Sequence, residues 1–260
     1  SKIFLTAPGP FFKGKEAGGS QKGKIMTQRH IKKYVLGIAL VLTACAADVS
    51  HVDKRVIAAP IEIDVNYVAR AQGADQFVQL TDGAALRSGD VYKIIFRPRE
   101  DCYVYIYQID AADKIYSLFP TIRLPGGAET RENFVRAGQT YHIPAESQSF
   151  QLDDVTGRET IYFLAYRRPD PQLPALYEQI VQFQHTPDNR LHRDLFQQLD
   201  ALNEQFRDAI QHKGISKIVP DPANNQYTTW NEGNKSQAVL RQRLEGMCDG
   251  CVNILKFQHQ

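Results

Sequence analysis

Residues 102–109 read CYVYIYQI, an alternation of tyrosine with aliphatic residues that decides the fold class. Tyr103, Tyr105 and Tyr107 share one side of this run, because successive side chains of a strand point in opposite directions. The Asp-Ala-Ala-Asp sequence that follows is typical of a turn. The sequence therefore predicts a strand, a tight turn and a second strand at 114–119.

Shorter runs of the same character lie on both sides of this strand, separated by turn residues at intervals of about ten. The turn signal Ser88-Gly89-Asp90 precedes one run, and Pro120 ends another. Short strands at this spacing are typical of an antiparallel sandwich. The sequence therefore predicts a β-rich domain over residues 61–168. Its strands are predicted at 76–80, 91–97, 102–109, 114–119, 139–143, 149–152 and 160–166.

The hydrophobic period becomes helical in the extension at 169–260. Within 189–213, apolar residues recur every three or four positions, which predicts an amphipathic helix. The other predictions here are a helix at 173–184, a loop at 219–235, a short helix at 237–244 and a strand at 252–257. The predicted fold class is mainly β with added helices (α+β). It is an antiparallel β-sandwich-like domain followed by a C-terminal helical segment and a final strand.

The N-terminal region has the three parts of a secretion signal. Residues 26–44 begin with methionine, carry three Lys or Arg residues and continue into the apolar run VLGIALVL. This run is far shorter than the about 20 apolar residues of a membrane-spanning helix. The Leu-Thr-Ala-Cys tetrad that ends at Cys45 resembles the bacterial lipobox. That resemblance implies that Cys45 is lipidated and becomes the first residue of the mature protein.

The resemblance also implies a location. In Gram-negative lipoproteins, aspartate after the lipidated cysteine directs retention in the inner membrane, and here Ala46 follows. We therefore expect a lipid anchor in the outer membrane, on the periplasmic face, with residues 45–60 as a polar tether. Residues 1–25 are basic and aperiodic and are expected to be an upstream extension. An ordinary secretory signal or an uncleaved anchor is the alternative.

The charge distribution argues against a nucleic-acid partner. Residues 45–260 carry 23 Lys or Arg residues and 28 Asp or Glu residues, a net charge of −5. A protein that binds nucleic acid presents a basic surface instead. The sequence has no Walker-type loop, G-x-G-x-x-G fingerprint or G-x-S-x-G elbow. It therefore assigns no catalytic residue, no cofactor and no metal.

Several short motifs between residues 86 and 168 occur in an order that resembles the bacterial "domain of unknown function 4384" family. They are Gly89-Asp90, the aromatic strand at 103–107, Leu118-Phe119-Pro120, Ile143-Pro144, and Gly157 with Glu159 before 161–165. Thr121 departs from the asparagine that often follows Phe-Pro in this family. The resemblance implies a β-rich domain that is common in envelope lipoproteins, and it transfers no active site.

The Cys248-Asp-Gly-Cys251 motif is the sharpest candidate for chemistry. Asp-Gly favours a two-residue turn, which holds the flanking Cα atoms near the separation that a disulfide needs. Because the periplasm is oxidising, we expect a structural disulfide between Cys248 and Cys251. A redox-active dithiol and a metal site stay open, although the βαβ context of thioredoxin-like motifs is missing. Cys102 is expected to be a buried free thiol, with a bridge to either of the other two also open.

Two further groups contain side chains that can bind metals. His185 and His192 lie across a predicted helix start, and we expect both to be solvated. Five aspartates lie at strand ends or turns, where turn formation explains them. They are Asp101, Asp110, Asp113, Asp153 and Asp154.

The tyrosine side of the 102–109 strand is a possible recognition surface, since tyrosine combines a large apolar area with a polar tip. The alternative is a sandwich core with hydroxyls at its rim. The sequence predicts a non-catalytic binding or assembly module of the envelope. Its partners would be the membrane, through the lipid, and an envelope protein. A periplasmic thiol–disulfide enzyme using Cys248 and Cys251 is the alternative function.

Overall fold

Strands dominate the computed structural model, which describes residues 58–120, 133–184, 193–221 and 226–260. The elements in chain order are β1 (Ile63–Arg70), β2 (Val78–Gln79), β3 (Ala85–Leu86), β4 (Val91–Pro98), β5 (Cys102–Ile109), β6 (Ile115–Phe119), β7 (Phe134–Val135), β8 (Tyr141–Ile143), β9 (Phe150–Gln151), β10 (Gly157–Tyr166), α1 (Gln172–Gln184), α2 (Arg193–Gln211), β11 (Ile215–Pro220), β12 (Tyr227–Glu232), β13 (Lys235–Leu240), β14 (Gln242–Glu245) and β15 (Val252–His259).

Thirteen of the described strands form one curled sheet. Its order is β6-β5-β10-β15-β11-β14-β1-β4-β8, and the short strands β2, β3, β7 and β9 attach to β1, β15, β5 and β4. Most neighbours are antiparallel, whereas β11 and β3 run parallel to β15. β11 joins the two halves of the sheet, because it pairs with β15 on one side and with β14 on the other.

The two halves of the sheet face each other across the main hydrophobic core. Val65 of β1, Ile106 of β5 and Phe163 of β10 belong to the same buried cluster. Phe96 of β4 lies between the layers, with its ring 5.3 Å from Phe163 and 5.0 Å from Tyr141. Two β layers over one shared apolar core confirm the predicted fold class, mainly β and sandwich-like with added helices.

Both helices lie on the outer face of the half that contains β5 and β10. Leu173 and Ile180 of α1, together with Phe206 and Ile210 of α2, form a second core against this face. Phe206 and Ile210 are about one turn apart, as the helical period predicted. The start of the second predicted helix, at 189–192, lies outside the described residues.

The β12–β13 hairpin covers part of the outer face of the other half. Its turn contains Gly233, whose φ of +60° is the left-handed conformation that a two-residue hairpin turn requires. The third apolar cluster lies beneath it. This cluster contains Val68, Phe77, Ile95, Trp230 and Val239.

Two predictions for the C-terminal region are wrong. The predicted helix at 237–244 is the end of β13 followed by β14, and the predicted loop at 219–235 contains β12. All of residues 237–244 except Val239 are good helix formers, so local propensity favoured a helix. Their conformation is set instead by pairing with β12, β11 and β1, which are distant in sequence.

β1 lies inside the predicted β-rich range but is not one of the strands predicted individually. Its sequence IDVNYVAR nevertheless alternates apolar and polar residues over most of its length. The extension at 1–25, the signal at 26–44, Cys45 and most of the tether at 45–60 lie outside the described residues. Of the described helices, neither is long and apolar enough to cross a membrane.

Two phenylalanines of α2 provide a matched test of helix packing. Phe206 is fully buried, with its ring 5.0 Å from that of Tyr107, whereas Phe196 is 44% exposed. Phe206→Ala should lower the free energy of unfolding by about 3–5 kcal/mol, because it leaves a cavity between helix and sheet. Phe196→Ala should change it by less than about 0.5 kcal/mol. Urea unfolding measures both, and equal effects would contradict the packing described.

Candidate functional site

The predicted tyrosine surface is corrected by the structure. Tyr105 and Tyr107 are 4% and 2% exposed, because α1 and α2 lie over this side of β5. The Tyr105 hydroxyl donates to the Asp170 carbonyl at 3.0 Å, and burial raises the pKa of Tyr107 above its ordinary value. Tyr103 alone of the three is half-buried, with its ring 5.2 Å from that of Phe134. Tyr105 and Tyr107 therefore fit the alternative given by the sequence, in which the tyrosines belong to the core and place their hydroxyls at its rim.

Cys248 and Cys251 form the expected disulfide, with Cα atoms 5.0 Å apart. The bond lies against the chain just after α2, where a Cβ on Gly214 would come 2.7 Å from the Cys251 sulfur. Within the same turn, the Gly250 N–H donates to the Ala165 carbonyl at 2.9 Å. The disulfide turn thus fixes the connection between β14 and β15 to the end of β10.

The surroundings of this disulfide disfavour a thiolate. Reactive thiolates are stabilised by a helix N-terminus or by a neighbouring cation. Here the sulfurs lie near the C-terminal end of α2, the negative end of the helix dipole, and Asp249 stands between the two cysteines in sequence. Cys248 is exposed and Cys251 is buried, and this asymmetry is the one feature in common with a redox dithiol.

Cys102 is a buried free thiol, as predicted. Burial, followed by the charges of Glu100 and Asp101, raises its pKa to about 12. A bridge from Cys102 to either C-terminal cysteine is ruled out, since those two are bonded to each other. The thiol is therefore inert packing at the start of β5.

A buried polar network joins the end of the chain to the turn before β4. The Ser88 hydroxyl lies 3.1 Å from His259 Nε2, and His259 Nδ1 lies 3.9 Å from Glu159 Oε1. Gln108 Nε2 donates to Glu159 Oε2 at 2.7 Å and accepts from the Tyr92 hydroxyl. Burial raises the pKa of Glu159 above its ordinary value. The order Ser–His–Glu resembles a catalytic triad. The sequence analysis did not single out these residues, because the chain has no G-x-S-x-G motif.

This network is not arranged for acyl transfer. The separation of 3.9 Å between His259 and Glu159 is too long for a hydrogen bond. The Ser88 and Gly89 N–H groups, which an oxyanion hole would use, donate to the Gln260 and Leu152 carbonyls. The network therefore ties the last residues of the chain to the turn at Ser88 and to β10.

A second buried polar cluster lies beneath the hairpin. Lys93 is 0% exposed; its Nζ donates to the Glu146 carbonyl at 2.5 Å and lies 5.9 Å from the Trp230 ring. Burial lowers the pKa of Lys93 below its ordinary value. Three buried polar atoms around it have no hydrogen-bond partner in the described structure. They are His142 Nδ1, Trp230 Nε1 and Glu232 Oε2.

Beyond this cluster, a polar cleft opens between β12 and the outer face of β1 and β4. Its inner part has a volume of about 170 Å³, and Asp64, Asn66, Arg97, Thr228 and Arg241 are among its lining residues. An adjoining cavity of about 480 Å³ shares three of these residues, Asp64, Arg97 and Arg241. The two spaces therefore form one cleft, which we call the hairpin cleft.

Hydrogen bonds within the fold hold the hairpin over this cleft. The Thr228 hydroxyl donates to Asn66 Oδ1 at 2.8 Å, and Asn66 Nδ2 donates to the Leu240 carbonyl at 2.7 Å. On the cleft floor, Arg99 Nη2 lies 2.9 Å from Asp64 Oδ1 and 3.5 Å from Asp221 Oδ2. The hydrogen bond to Asp64 raises the pKa of Arg99 above its ordinary value.

The sequence contains a signal for this cleft that the prediction did not use. In β1, Asp64 and Asn66 are two residues apart on one face, and in β4 Lys93 and Arg97 are four residues apart on one face, with Ile95 between them. Asp64 pairs directly with Arg97 in the sheet register. Two adjacent strands with polar side chains on one shared face therefore mark a polar surface.

The remaining candidate residues have structural roles or lie outside the described range. Asp110 Oδ1 accepts from the Lys114 N–H at 2.9 Å, and Asp153 Oδ1 accepts from the Val155 N–H at 3.0 Å, as turn formation predicts. Within the described residues, no group of three or more potential ligands could hold a metal ion. His185 and His192 lie outside the described residues.

The fold and cleft define an antiparallel, sandwich-like β domain with helices on one outer face and a hairpin on the other. Residues 85–169 match the model of a family described as Domain of unknown function (DUF4384). The chain therefore contains a DUF4384 domain, which confirms the resemblance seen in its motifs. No curated protein and no solved structure matches the chain. The match includes Arg97 and Arg99, whereas Asp64 and Arg241 lie outside it.

The disulfide should contribute modestly to stability. Replacing Cys248 and Cys251 together by alanine should lower the free energy of unfolding by about 2 kcal/mol, the loop-closure entropy of so small a ring. Urea unfolding measures the loss. Adding a reductant should lower the unfolding midpoint of the wild type and leave that of the double variant unchanged. A wild-type midpoint that does not respond to reduction would contradict a stabilising role.

The half-buried side chain of His142 should make stability depend on pH. Burial, followed by the charge of Lys93, lowers the pKa of His142. In the unfolded chain the His142 side chain binds a proton near pH about 6.5, whereas in the folded chain it stays neutral at that pH. The free energy of unfolding therefore falls as the pH drops below that value. His142→Gln should lose less stability than the wild type between pH about 7.5 and 5.

The matched control for this prediction is His212→Gln, since His212 is exposed at the end of α2. The measurement is urea unfolding at a series of pH values. The His212 variant should follow the wild type throughout. If His142→Gln also follows the wild type, His142 does not supply the acid sensitivity.

Proposed function

We propose that this protein is a non-catalytic binding or assembly module of the bacterial cell envelope, attached to the outer membrane through a lipid on Cys45. The observation that carries the proposal is the hairpin cleft, which is open to solvent and is polar in its inner part. Charged and hydrogen-bonding groups converge there without a nucleophile beside a general base. Such a surface suits recognition of a partner better than turnover of a substrate.

The envelope location draws on two independent features, and the net charge bears on the partner. The basic, apolar and Leu-Thr-Ala-Cys segments at 26–45 follow the order of a lipoprotein signal. The bonded pair Cys248–Cys251 suits an oxidising compartment, since disulfides rarely persist in a reducing cytosol. Residues 45–260 have a net charge of −5, which argues against nucleic acid as the partner. The proposed partners are the membrane, through the lipid, and an envelope protein.

One observation favours the alternative of a thiol–disulfide enzyme. Cys248 is exposed and Cys251 is buried, an arrangement that gives a partner access to one sulfur while the other is shielded. The location of the disulfide opposes the enzyme alternative. The sulfurs lie near the C-terminal end of α2, and this negative end of the helix dipole does not stabilise a thiolate. The two functions predict different responses of the cysteines to alkylation in cells.

The test is the intact mass of the protein extracted from its native membrane fraction, with free thiols alkylated before and after reduction. We expect a mass that begins at Cys45 and includes three acyl chains, and no alkylation of Cys248 or Cys251 before reduction. The Cys45→Ser variant is the control and should carry no lipid and leave the membrane fraction. The variant should leave the membrane because a lipid anchor holds a protein there by burying methylene groups in the bilayer.

Two outcomes would overturn parts of this proposal. A wild-type mass without lipid, starting before residue 45, would remove the membrane anchor and the location built on it. A lipidated protein whose Cys248 is alkylated without reduction, or trapped in mixed disulfides, would favour the enzyme.

A further inference from the structure

The arginines of the hairpin cleft outnumber the carboxylates that neutralise them. Asp64 and Asp221 are 6% and 8% exposed, and both face Arg99, at 2.9 Å and 3.5 Å. Among the described residues, the ion pairs of both carboxylates of the cleft floor are therefore made with Arg99. The other two arginines of the cleft, Arg97 and Arg241, form no ion pair with any described residue.

Arg241 is positioned without being neutralised. Its Nη1 donates to the side-chain oxygen of Gln226, and its Nη2 donates to the Tyr227 carbonyl at 3.3 Å. Both acceptors are uncharged, so the full positive charge of Arg241 remains. These bonds also fix the guanidinium at the base of the hairpin, so little side-chain entropy is lost when it binds a further group.

Arg97 approaches the same space from the sheet. It lies on the outer face of β4, is exposed, and lines both parts of the cleft with Arg241. Its guanidinium has no hydrogen-bond partner among the described residues. A planar guanidinium offers five N–H donors in a fork that fits the paired oxygens of carboxylate or phosphate.

We propose that the hairpin cleft is a binding site for an oxyanion, a carboxylate or phosphate group, held between Arg97 of β4 and Arg241 at the base of the hairpin. The inner space of about 170 Å³ is large enough for such a group, and Thr228 and Thr140 add neutral lining around it. The adjoining 480 Å³ gives room for the remainder of the ligand. Two charge-assisted contacts, one from each guanidinium, select an anion over a neutral ligand.

This inference rests on the proposed function as a binding module and names the chemistry of what is bound. A carboxylate would come from an acidic protein segment, and a phosphate from a lipid headgroup or a phosphorylated polymer. The probes are therefore sodium succinate and inorganic phosphate, titrated against sodium chloride at equal ionic strength. The measurement is isothermal titration calorimetry on the purified full chain.

We expect saturable binding of at least one probe and none of chloride. Tighter binding of succinate assigns a carboxylate ligand, and tighter binding of phosphate assigns a phosphate ligand. Arg97→Gln and Arg241→Gln should each weaken binding about tenfold or more, since each removes a charge-assisted contact. Arg97→Lys keeps the charge but loses the fork and should give an intermediate affinity.

The control is Arg158→Gln, because Arg158 is an exposed arginine on β10, a strand of the other half of the sheet. It should bind both probes as the wild type does. Thermal unfolding of each variant in chloride shows whether it is folded. Absence of binding to both probes, or equal loss in Arg158→Gln, would overturn the inference.

The failure of this inference is distinguishable from the failure of the proposed function. Lipid on Cys45 and retention in the membrane fraction do not involve Arg97 or Arg241. If the anion titration fails while the membrane experiment succeeds, the ligand chemistry alone is wrong. If lipid is absent while the titration succeeds, the cleft binds an oxyanion in a protein whose location must be revised.

Discussion

The last strand, β15, holds the two halves of the sheet together through its pairing. β15 pairs with β10 along the whole strand, runs parallel to β11 on its other side, and also pairs with β3. Without β15, the half that contains β5 and β10 would lose its connection to the half that contains β1 and β4. The DUF4384 match at 85–169 contains neither β15 nor β1, so both halves are completed by strands outside it.

The two outer faces of the sheet are covered by different elements, and the candidate site lies on the face that is covered less. On the β5–β10 side, two helices bury Tyr105 and Tyr107, so most of the tyrosine face of β5 becomes core. On the β1–β4 side, a hairpin of two strands covers less of the face. The apolar cluster around Trp230 lies under the hairpin, whereas Asp64, Arg97 and Arg241 remain at an open cleft.

The chain also tolerates two buried polar groups that cost stability. Glu159 is 2% exposed within the core network, and Lys93 is fully buried beneath the hairpin. A buried charge is unfavourable unless hydrogen bonds or counter-charges offset its desolvation. Glu159 receives hydrogen bonds from Gln108 and Ala111, so it fixes the register of β10 against β5. Lys93 donates to the Glu146 carbonyl and has two aromatic rings within about 6 Å, which offset part of its desolvation.

Four features could be predicted from the sequence alone: the β-rich class, the longer strands between β4 and β10 together with β15, the one-sided helix of α2, and the Cys248–Cys251 turn. Each follows from local signals, namely period-two alternation, a helical period and an Asp-Gly turn. Three features became evident only in the folded chain: the strands at 237–244, the burial of Tyr105 and Tyr107, and the shared cleft of Arg97 and Arg241. These outcomes depend on which distant segments pair and pack together, and the energy of such non-local contacts exceeds local propensity. The polar residues on one side of β1 and β4 marked the face of the site, but not the hairpin that shapes it.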